Sequence, residues 1–375
     1  MKFKIDGLTL KKISRIFSNI SYNNNYLVEM NGILFEITKN NIFIEAKNTY
    51  ISLKYNLNNN IEILKEGIFL IKAKLLNEVI SKLENNEIVI FNKIEDNLIT
   101  IKSKNSYYEI NLMNDKKYKK EKFISDQNYK ELIINNLYFK KLIESVVFAG
   151  DERSNRKILQ GINLKIDQNS IKLIASDNIR IAFNKQKINY QKDLINVIIP
   201  IKAIKEYLKL INDSQKIKLR FFENKLLIID DNLLTQINLI EGVFPDLERA
   251  FLGENNQKLV IKKELMLTLL DRALPLVLNK ESASTIVTLK IFDQILMIES
   301  NESETGTSKI ETKDFTFEGG NEFVIYFNPR LLKEAINKLE NPNITLDFNS
   351  PEQPFIMKDN TDENKFRCLI LPFKI

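Results

Sequence analysis

The chain has no histidine and a single cysteine, Cys368, among its 375 residues. Those two shortages exclude tetrahedral Cys/His zinc sites and Ser-His-Asp or Cys-His nucleophilic systems. They also exclude an intrachain disulfide, which fits a reducing compartment. Glycine is scarce, at 10 residues, and neither a Gly-x-Gly-x-x-Gly turn nor a Gly-x-x-x-x-Gly-Lys-Ser/Thr loop occurs. The two commonest phosphate cradles are therefore missing. No run approaches the roughly eighteen apolar residues of a membrane span. The opening MKFKIDGLTLKKISRIF lacks the apolar core and cleavage site of a secretory leader, so a cytoplasmic location is expected. No cofactor and no metal site is expected. Of enzyme classes the inventory leaves carboxylate chemistry open, and no paired-carboxylate motif stands out.

What is present is ordinary for a globular protein: 44% hydrophobic, 28% charged, net charge +6. Asparagine, isoleucine and lysine are heavily used throughout, a bias of the kind an AT-rich genome produces. The length accommodates two or three domains with cores of their own.

Three helix-patterned segments recur at a 128-residue step: KAKLLNEVISKL (72–83), PIKAIKEYLKLIN (200–212) and NPRLLKEAINKL (328–339). Leu76, Ile204 and Leu332 are equivalent, as are Ile80, Leu208 and Ile336, and Leu83, Ile211 and Leu339. Each set places apolar residues on one helical face. Pro200 and Pro329 fall where a first helical turn tolerates proline. A second set comprises LTLKKISRIF (8–17), NNLYFKKLIESVVFA (135–149) and KKELMLTLLDRALPLVL (262–278), with Pro275 ending or kinking the last. Between helices lie short apolar or alternating runs that read as strands: residues 32–37, 41–46, 98–103, 107–112, 162–166, 171–176, 225–230 and 294–300. The pattern predicts three tandem α+β units, each helix, strands, helix, strands, with antiparallel meanders. The charged stretch 114–127 and GENNQ (253–257) mark boundaries, giving units 1–124, 125–252 and 253–375.

The six helical segments together carry +11, leaving −5 on the rest of the chain; counting the flanking acids Asp6, Glu84, Asp151, Asp213 and Glu340 lowers the first figure to +6. A surface lined by all six would attract a polyanion. The bases that supply it include Lys11, Lys12, Arg15, Lys72, Lys74, Lys140, Lys202, Lys205, Lys209 and Lys333. A basic helix face is also what plain solvation produces. There is no aromatic-studded groove and no helix-turn-helix signature, so sequence-independent contact with duplex phosphates fits better than base readout. On the residues alone, a protein-binding scaffold and a Mg²⁺-dependent carboxylate nuclease stay open beside a non-catalytic DNA-binding protein.

Five motifs resemble those of the bacterial DNA polymerase III beta subunit, the replicative sliding clamp: LQGINLKI (159–166), IKLIASDNIRIA (171–182), EGVFPDLERAF (241–251), FNPRLLKEAINKL (327–339) and CLILPFKI (368–375). The resemblance runs end to end. It implies three domains of one clamp topology, helices inside and antiparallel sheets outside a ring made by a head-to-tail homodimer. It implies a processivity factor that encircles double-stranded DNA and tethers the replicative polymerase, without catalysis of its own. A clamp loader and other proteins carrying short clamp-binding peptides would be its further partners.

Carried onto matching positions, the family's partner-peptide cleft implicates Leu159, Ser176, Asn178, Arg180, Ile181, Pro245, Arg249, Ala250, Pro354, Leu369, Leu371, Pro372 and Phe373. For most of these, core packing is the alternative. Ile179 stands where the best-known members have histidine, Phe373 is bulkier than the usual Met or Val, and Lys374 replaces Arg. The resemblance also implies a dimer interface at Tyr108 and Ile110, facing Leu274 and Leu276. Asn24 and Arg153 match DNA-contacting loop positions, where the family often has Arg in place of Asn24.

Overall fold

A computed structural model describes residues 1–21, 27–124, 128–190, 192–210, 216–253, 256–276, 285–302, 306–320, 322–359 and 365–374. Its α-helices are α1 (Gly7–Ser21), α2 (Ala73–Ser81), α3 (Asn136–Glu144), α4 (Ile201–Leu208), α5 (Lys263–Ala273) and α6 (Pro329–Ile336). Three start where a short polar side chain caps free backbone N–H groups. The Asp6 carboxylate accepts from the Thr9 amide at 2.9 Å, Asn135 Oδ1 from Tyr138 at 3.0 Å, and Asn328 Oδ1 from Arg330 at 3.0 Å.

The predicted apolar rows are the buried faces. Leu76, Ile80, Leu83, Ile204, Leu332, Ile336 and Leu339 are all buried. In α4 the row departs from its pattern: Leu208 is half-buried and Tyr207 takes the core position, against Phe139 with centroids 6.4 Å apart. The Tyr207 hydroxyl donates to Asn136 Oδ1 at 3.1 Å, which keeps its buried polar end paired. Ile211 lies outside the described residues. Pro200 is not in a helical turn. It ends the strand Ile195–Pro200, immediately ahead of α4, whereas Pro329 is inside the first turn of α6 as expected. Lys72 likewise closes a strand and stands just before α2. The predicted helix 135–149 stops at Glu144 and resumes as a 3-10 turn at Val147–Ala149. Pro275 sits in a 3-10 turn, Leu274–Leu276, after α5 ends.

The chain divides into two compact units, Met1–Phe139 with Lys202–Leu239, and Lys140–Ile201 with Ile240–Ile375. The first unit holds two antiparallel sheets. One runs Lys130–Asn135, Lys216–Phe221, Lys225–Asp230, Leu233–Asn238, Ile51–Leu57, Ile42–Lys47, Gly32–Ile37, Gly67–Lys72; the other runs Ile61–Lys65, Lys2–Asp6, Ile88–Glu95, Leu98–Lys102, Tyr107–Asn111. The second unit also has two. One runs Ile195–Pro200, Gly161–Ile166, Ser170–Ser176, Arg180–Lys187, Lys365–Ile370, Phe355–Asp359, Asn343–Phe348, Gln257–Lys262, Phe315–Glu318; the other runs Gly306–Thr312, Ile295–Glu302, Val287–Phe292, Glu322–Phe327.

Element order along the chain repeats three times: strand, helix, a meander, helix, three strands. The third strand after the first helix of copy one, Ile51–Leu57, pairs with the last strand of copy two, Leu233–Asn238. In the same way Arg180–Lys187 of copy two pairs with Lys365–Ile370 of copy three. The two strands left over in this scheme, Gly306–Thr312 of copy three and Tyr107–Asn111 of copy one, are both sheet edges.

Candidate partner-binding site

Each junction between copies is bridged by a crossing segment that leaves its sheet in the same way. The Met113 amide donates to the Leu70 carbonyl and the Ile240 amide to Ile198, both at 2.9 Å. Gly32 and Gly161 open the strands beneath. A Cβ on Gly32 would meet Leu70 Cδ1 at 2.7 Å, and one on Gly161 would meet Ile198 Cγ2 at 2.3 Å. That close approach explains the glycine of LQG.

Beyond this shared start the two crossings differ. The hairpins of the two long sheets open at Ile37↔Ile42 and Ile166↔Ile171, which puts Glu45 opposite Lys54 and Ile174 opposite Phe183 at equivalent places. Ser52↔Gln236 and Ile181↔Leu369 are equivalent in turn. At the first crossing these positions hold a polar network. Glu45 Oε1 accepts from the Glu121 amide at 2.8 Å, Gln236 Oε1 from the Ile124 amide at 3.2 Å, and Gln236 Nε2 donates to Glu121 Oε1 at 3.0 Å. Lys225 and Lys47 pair with the same Glu121 at 3.1 and 3.5 Å. Burial raises the Glu45 carboxyl above its usual range, against the opposing pull of the Glu121 amide, Lys47 and Lys54. At the second crossing the same places form an apolar cluster of Ile174, Phe183, Phe251, Ile356 and Leu369, with Ile181, Phe244 and Leu247 packed on it.

Most of the expected cleft residues gather around that cluster. Ser176 pairs with Ile181, and Ile181 with Leu369. The Leu371 amide donates to the Ile179 carbonyl at 2.9 Å, and the Phe373 amide to the Tyr326 carbonyl at 2.7 Å, so residues 371–373 continue past their strand along fixed backbone. Leu371 is 38% exposed; Pro372, Phe373 and Pro354 are half-buried. Pro245, Arg249 and Ala250 lie exposed on the crossing segment, where Arg249 pairs with Asp246 at 2.7 Å. Leu159 is buried in a 3-10 turn just before Gly161. Asn178 holds a left-handed backbone, φ 70°, which asparagine tolerates better than most residues.

Arg180 faces away from this floor. Successive side chains alternate across a sheet, so Arg180 projects on the side opposite Ile181 and Phe183. There its guanidinium bonds Asp177 Oδ2 at 2.9 Å, Glu334 Oε2 at 2.6 Å and the Phe148 carbonyl at 2.6 Å, and stacks over the Phe148 ring at 5.0 Å. Asp177 also accepts from the amides of Ile179 and Arg180, at 3.0 and 2.9 Å. Arg180 thus fixes the turn 176–180, whose Ile179 carbonyl anchors Leu371. Cys368 is on this same inner side, and burial pushes its thiol up to about 12, so it is unreactive at neutral pH. The sequence reading missed Ile174, Phe183, Phe244, Leu247, Phe251 and Ile356. Strand alternation on from Ile181 reaches Phe183, and the spacing of 244, 247 and 251 in FPDLERAF marks the covering side.

Apart from Arg153, which is on a turn, the expected DNA-facing bases are on helices or beside them, and many are locally matched. Lys333 pairs with Asp271, Lys209 with Glu206 at 3.0 Å, and Lys140 and Lys74 with Glu144 and Glu78 at 4.0 Å. Lys11 bonds Asn85 Oδ1 at 2.9 Å, and Lys202 lies over the Tyr50 ring at 5.5 Å. Lys12, Arg15, Lys72, Arg153, Lys202, Lys205 and Lys209 are exposed. Asn24 lies outside the described residues. Of the expected interface residues, Tyr108 is half-buried, and Ile110 and Leu274 are buried in their own units; Leu276 belongs to the 3-10 turn after α5. Among the described residues no group of acidic or cysteine side chains is arranged to hold a metal ion, and no helix is long and apolar enough to cross a membrane.

Comparison with known proteins gives one answer along the chain. Family models for the N-terminal, central and C-terminal domains of the DNA polymerase III beta subunit match residues 1–121, 133–246 and 248–374. A beta sliding clamp of Mycoplasma capricolum is 29% identical over 377 residues, covering 99% of each chain. One of Staphylococcus aureus is 30% identical over 236 residues, 63% of this chain and 62% of that one. Among solved structures, the DNA polymerase III beta chain of Streptococcus pneumoniae superposes with a TM-score of 0.94 at 22% identity, covering 100% of both chains. The DNA polymerase sliding clamp of Bacillus subtilis gives 0.91 at 24% identity, covering 100% of this chain and 99% of that one. The chain has the three-domain clamp fold and belongs to the family of bacterial DNA polymerase III beta subunits, the beta sliding clamps.

Proposed function

We propose that two copies of this chain close head to tail into a ring around double-stranded DNA and hold the replicative polymerase at its template as a processivity factor. The observation that carries this is the pairing rule of the repeat. Twice within the chain, the third meander strand of one copy pairs with the last strand of the next. The third such pair needs Gly306–Thr312 and Tyr107–Asn111, which are edges here. A second chain supplies each edge with its partner and leaves neither exposed. Three domains, 1–124, 125–252 and 253–375, then become six around the ring.

Processivity follows from topology. A ring cannot leave sideways, so its contacts with phosphates can be weak and mobile while residence stays long. Lysines and arginines on the helices supply that contact. A bound polymerase is kept at high effective concentration near the primer end. The chain acts as an accessory subunit in the cytoplasm, with no reaction of its own, and a separate clamp loader opens the ring. Polymerase, loader and other proteins dock by short peptides whose apolar side chains reach Ile181, Leu369 and Leu371 beside the second crossing. The polar network at the equivalent first crossing is why the site is not repeated there.

The test is retention on DNA together with solution mass. A particle of twice 43.8 kDa, loaded onto nicked circles and lost on linearisation, is expected. A particle of single-chain mass, or equal retention on both templates, overturns the proposal.

A further inference from the structure

The outer face of the nine-stranded sheet carries a row of like charges that the family function does not use. Lys165 pairs with Lys172, and Lys172 with Lys185, each directly across neighbouring strands. Like charges in opposed positions are unfavourable in a sheet, and here they stand on three consecutive strands. Arg367 adds a further cation on the same face, opposite Phe183. Lys172 is matched by Glu248 at 2.9 Å. Among the described residues, Lys165, Lys185 and Arg367 have no carboxylate within ion-pair distance; Asp246, which borders the same cavity, is engaged by Arg249.

These side chains surround a cavity of about 480 Å³ between the sheet and residues 246–252 of the crossing segment. Its deep wall is Phe183 and Phe251, with ring centroids 5.7 Å apart, and Leu252 stands at its edge, 78% exposed. We propose that this cavity is a second docking point on the chain, and that it takes an acidic partner segment carrying one large apolar side chain. The carboxylates would meet Lys165, Lys185 and Arg367, and the apolar group would enter against Phe183, Phe251 and Leu252. Charge complementarity selects the acidic partner. The rings select a peptide over a nucleic acid. Each is 7% exposed, too covered to serve as a platform for stacked bases, while one inserted side chain can reach them. The docking point shares Phe183 and Phe251 with the apolar cluster of the peptide site, but its cations Lys165, Lys185 and Arg367 lie outside that site and its binding does not require Leu371.

Fluorescence anisotropy on the full chain tests this with a fluorescein-labelled nonapeptide of aspartates and glutamates around a central phenylalanine. The variant with Lys165→Ser, Lys185→Ser and Arg367→Ser should bind it at least tenfold more weakly, with thermal unfolding as control. Arg367→Ser alone, which leaves the lysine row in place, should lose part of that. Leu371→Ala should bind it as the unaltered chain does. A peptide with serine in place of the phenylalanine should bind several-fold more weakly. Unchanged binding by both serine variants overturns the proposal. So does equal binding of the two peptides, which would mean diffuse charge, or displacement by oligothymidylate at lower concentration than by unlabelled peptide, which would mean a nucleic-acid surface.

Discussion

Replacing Glu109 by proline should open the ring without unfolding its subunits. The amide of Ser103 donates to Ser106 at 2.9 Å and that of Leu112 to Asn97 at 2.7 Å, on either side of the edge strand Tyr107–Asn111. Hydrogen-bonded and non-bonded pairs alternate along an antiparallel ladder. Ile101↔Tyr108 and Ile99↔Ile110 are therefore the bonded pairs, and Thr100↔Glu109 is not. The backbone groups of Tyr107, Glu109 and Asn111 point outward, to the free edge. Proline at 109 removes an outward donor and leaves the inner ladder whole, which edge strands tolerate. In the dimer the opposing carbonyl would be left unpaired, at about 1–3 kcal/mol per junction.

Both junctions of a two-fold ring carry the change, so the dimer loses about 2–6 kcal/mol, or roughly 30-fold to 20,000-fold in its dissociation constant. Sedimentation velocity across a concentration series reads this directly, with circular dichroism and thermal unfolding to show that each subunit still folds. Glu109→Ala, which keeps the amide, should stay dimeric. An unchanged dissociation constant for the proline variant, with the fold intact, would refute the placing of this strand at the interface.

Reversing charge at Lys202, Lys205 and Lys209 together should shorten residence on nicked circular DNA and leave the dimer mass unchanged; equal residence would remove α4 from the DNA-facing surface. Leu371→Ala should weaken binding of the polymerase's clamp-binding peptide about fivefold, because a partner covering the 38% of this leucine still exposed contributes about 1 kcal/mol; calorimetry showing no change would move the site elsewhere. Glu45→Gln keeps an acceptor for the Glu121 amide but does not titrate. Burial holds the native Glu45 carboxyl above its unfolded value, so its contribution to stability falls as pH rises through that window. The stability gained by the variant should therefore grow between pH 4 and pH 8 in urea unfolding, and a flat or falling difference would contradict the buried-carboxylate reading.

The repeat was legible because a helix records its buried face in a single period. Seven of the nine positions marked at the 128-residue step are in the core, and Leu208 departs because Tyr207 brings its own hydrogen bond inward. Helix ends were less legible. Lys72 and Pro200 fit a helical pattern by composition yet finish strands, since the main-chain ladder of the preceding strand sets where the helix begins. The site was legible as a set of motifs, not as a geometry. Nothing in NIRIAF says that Arg180 and Ile181 serve opposite faces until the strand is placed between two others. Once it is, alternation sends the arginine to Asp177, Glu334 and Phe148 and the isoleucine to Leu369.

The contrast between the crossings is the step that joins fold to function. One topology is used twice in the chain, with the same bridge of Met113 to Leu70 and Ile240 to Ile198. At the first, Glu45, Gln236, Lys225 and Glu121 satisfy one another and bind the crossing segment down. A network of this kind is closed: each polar group already has a partner, so an arriving peptide would have to break bonds to make any. At the second, Ile174, Ile181 and Leu369 hold the crossing segment by apolar contact, which is non-directional and continues outward to any apolar side chain that arrives. In the proposed ring, three copies of one unit per chain give six parts, and the exchange of Glu45 for Ile174 and of Gln236 for Leu369 at equivalent places is what would put the peptide site beside the second crossing and not the first.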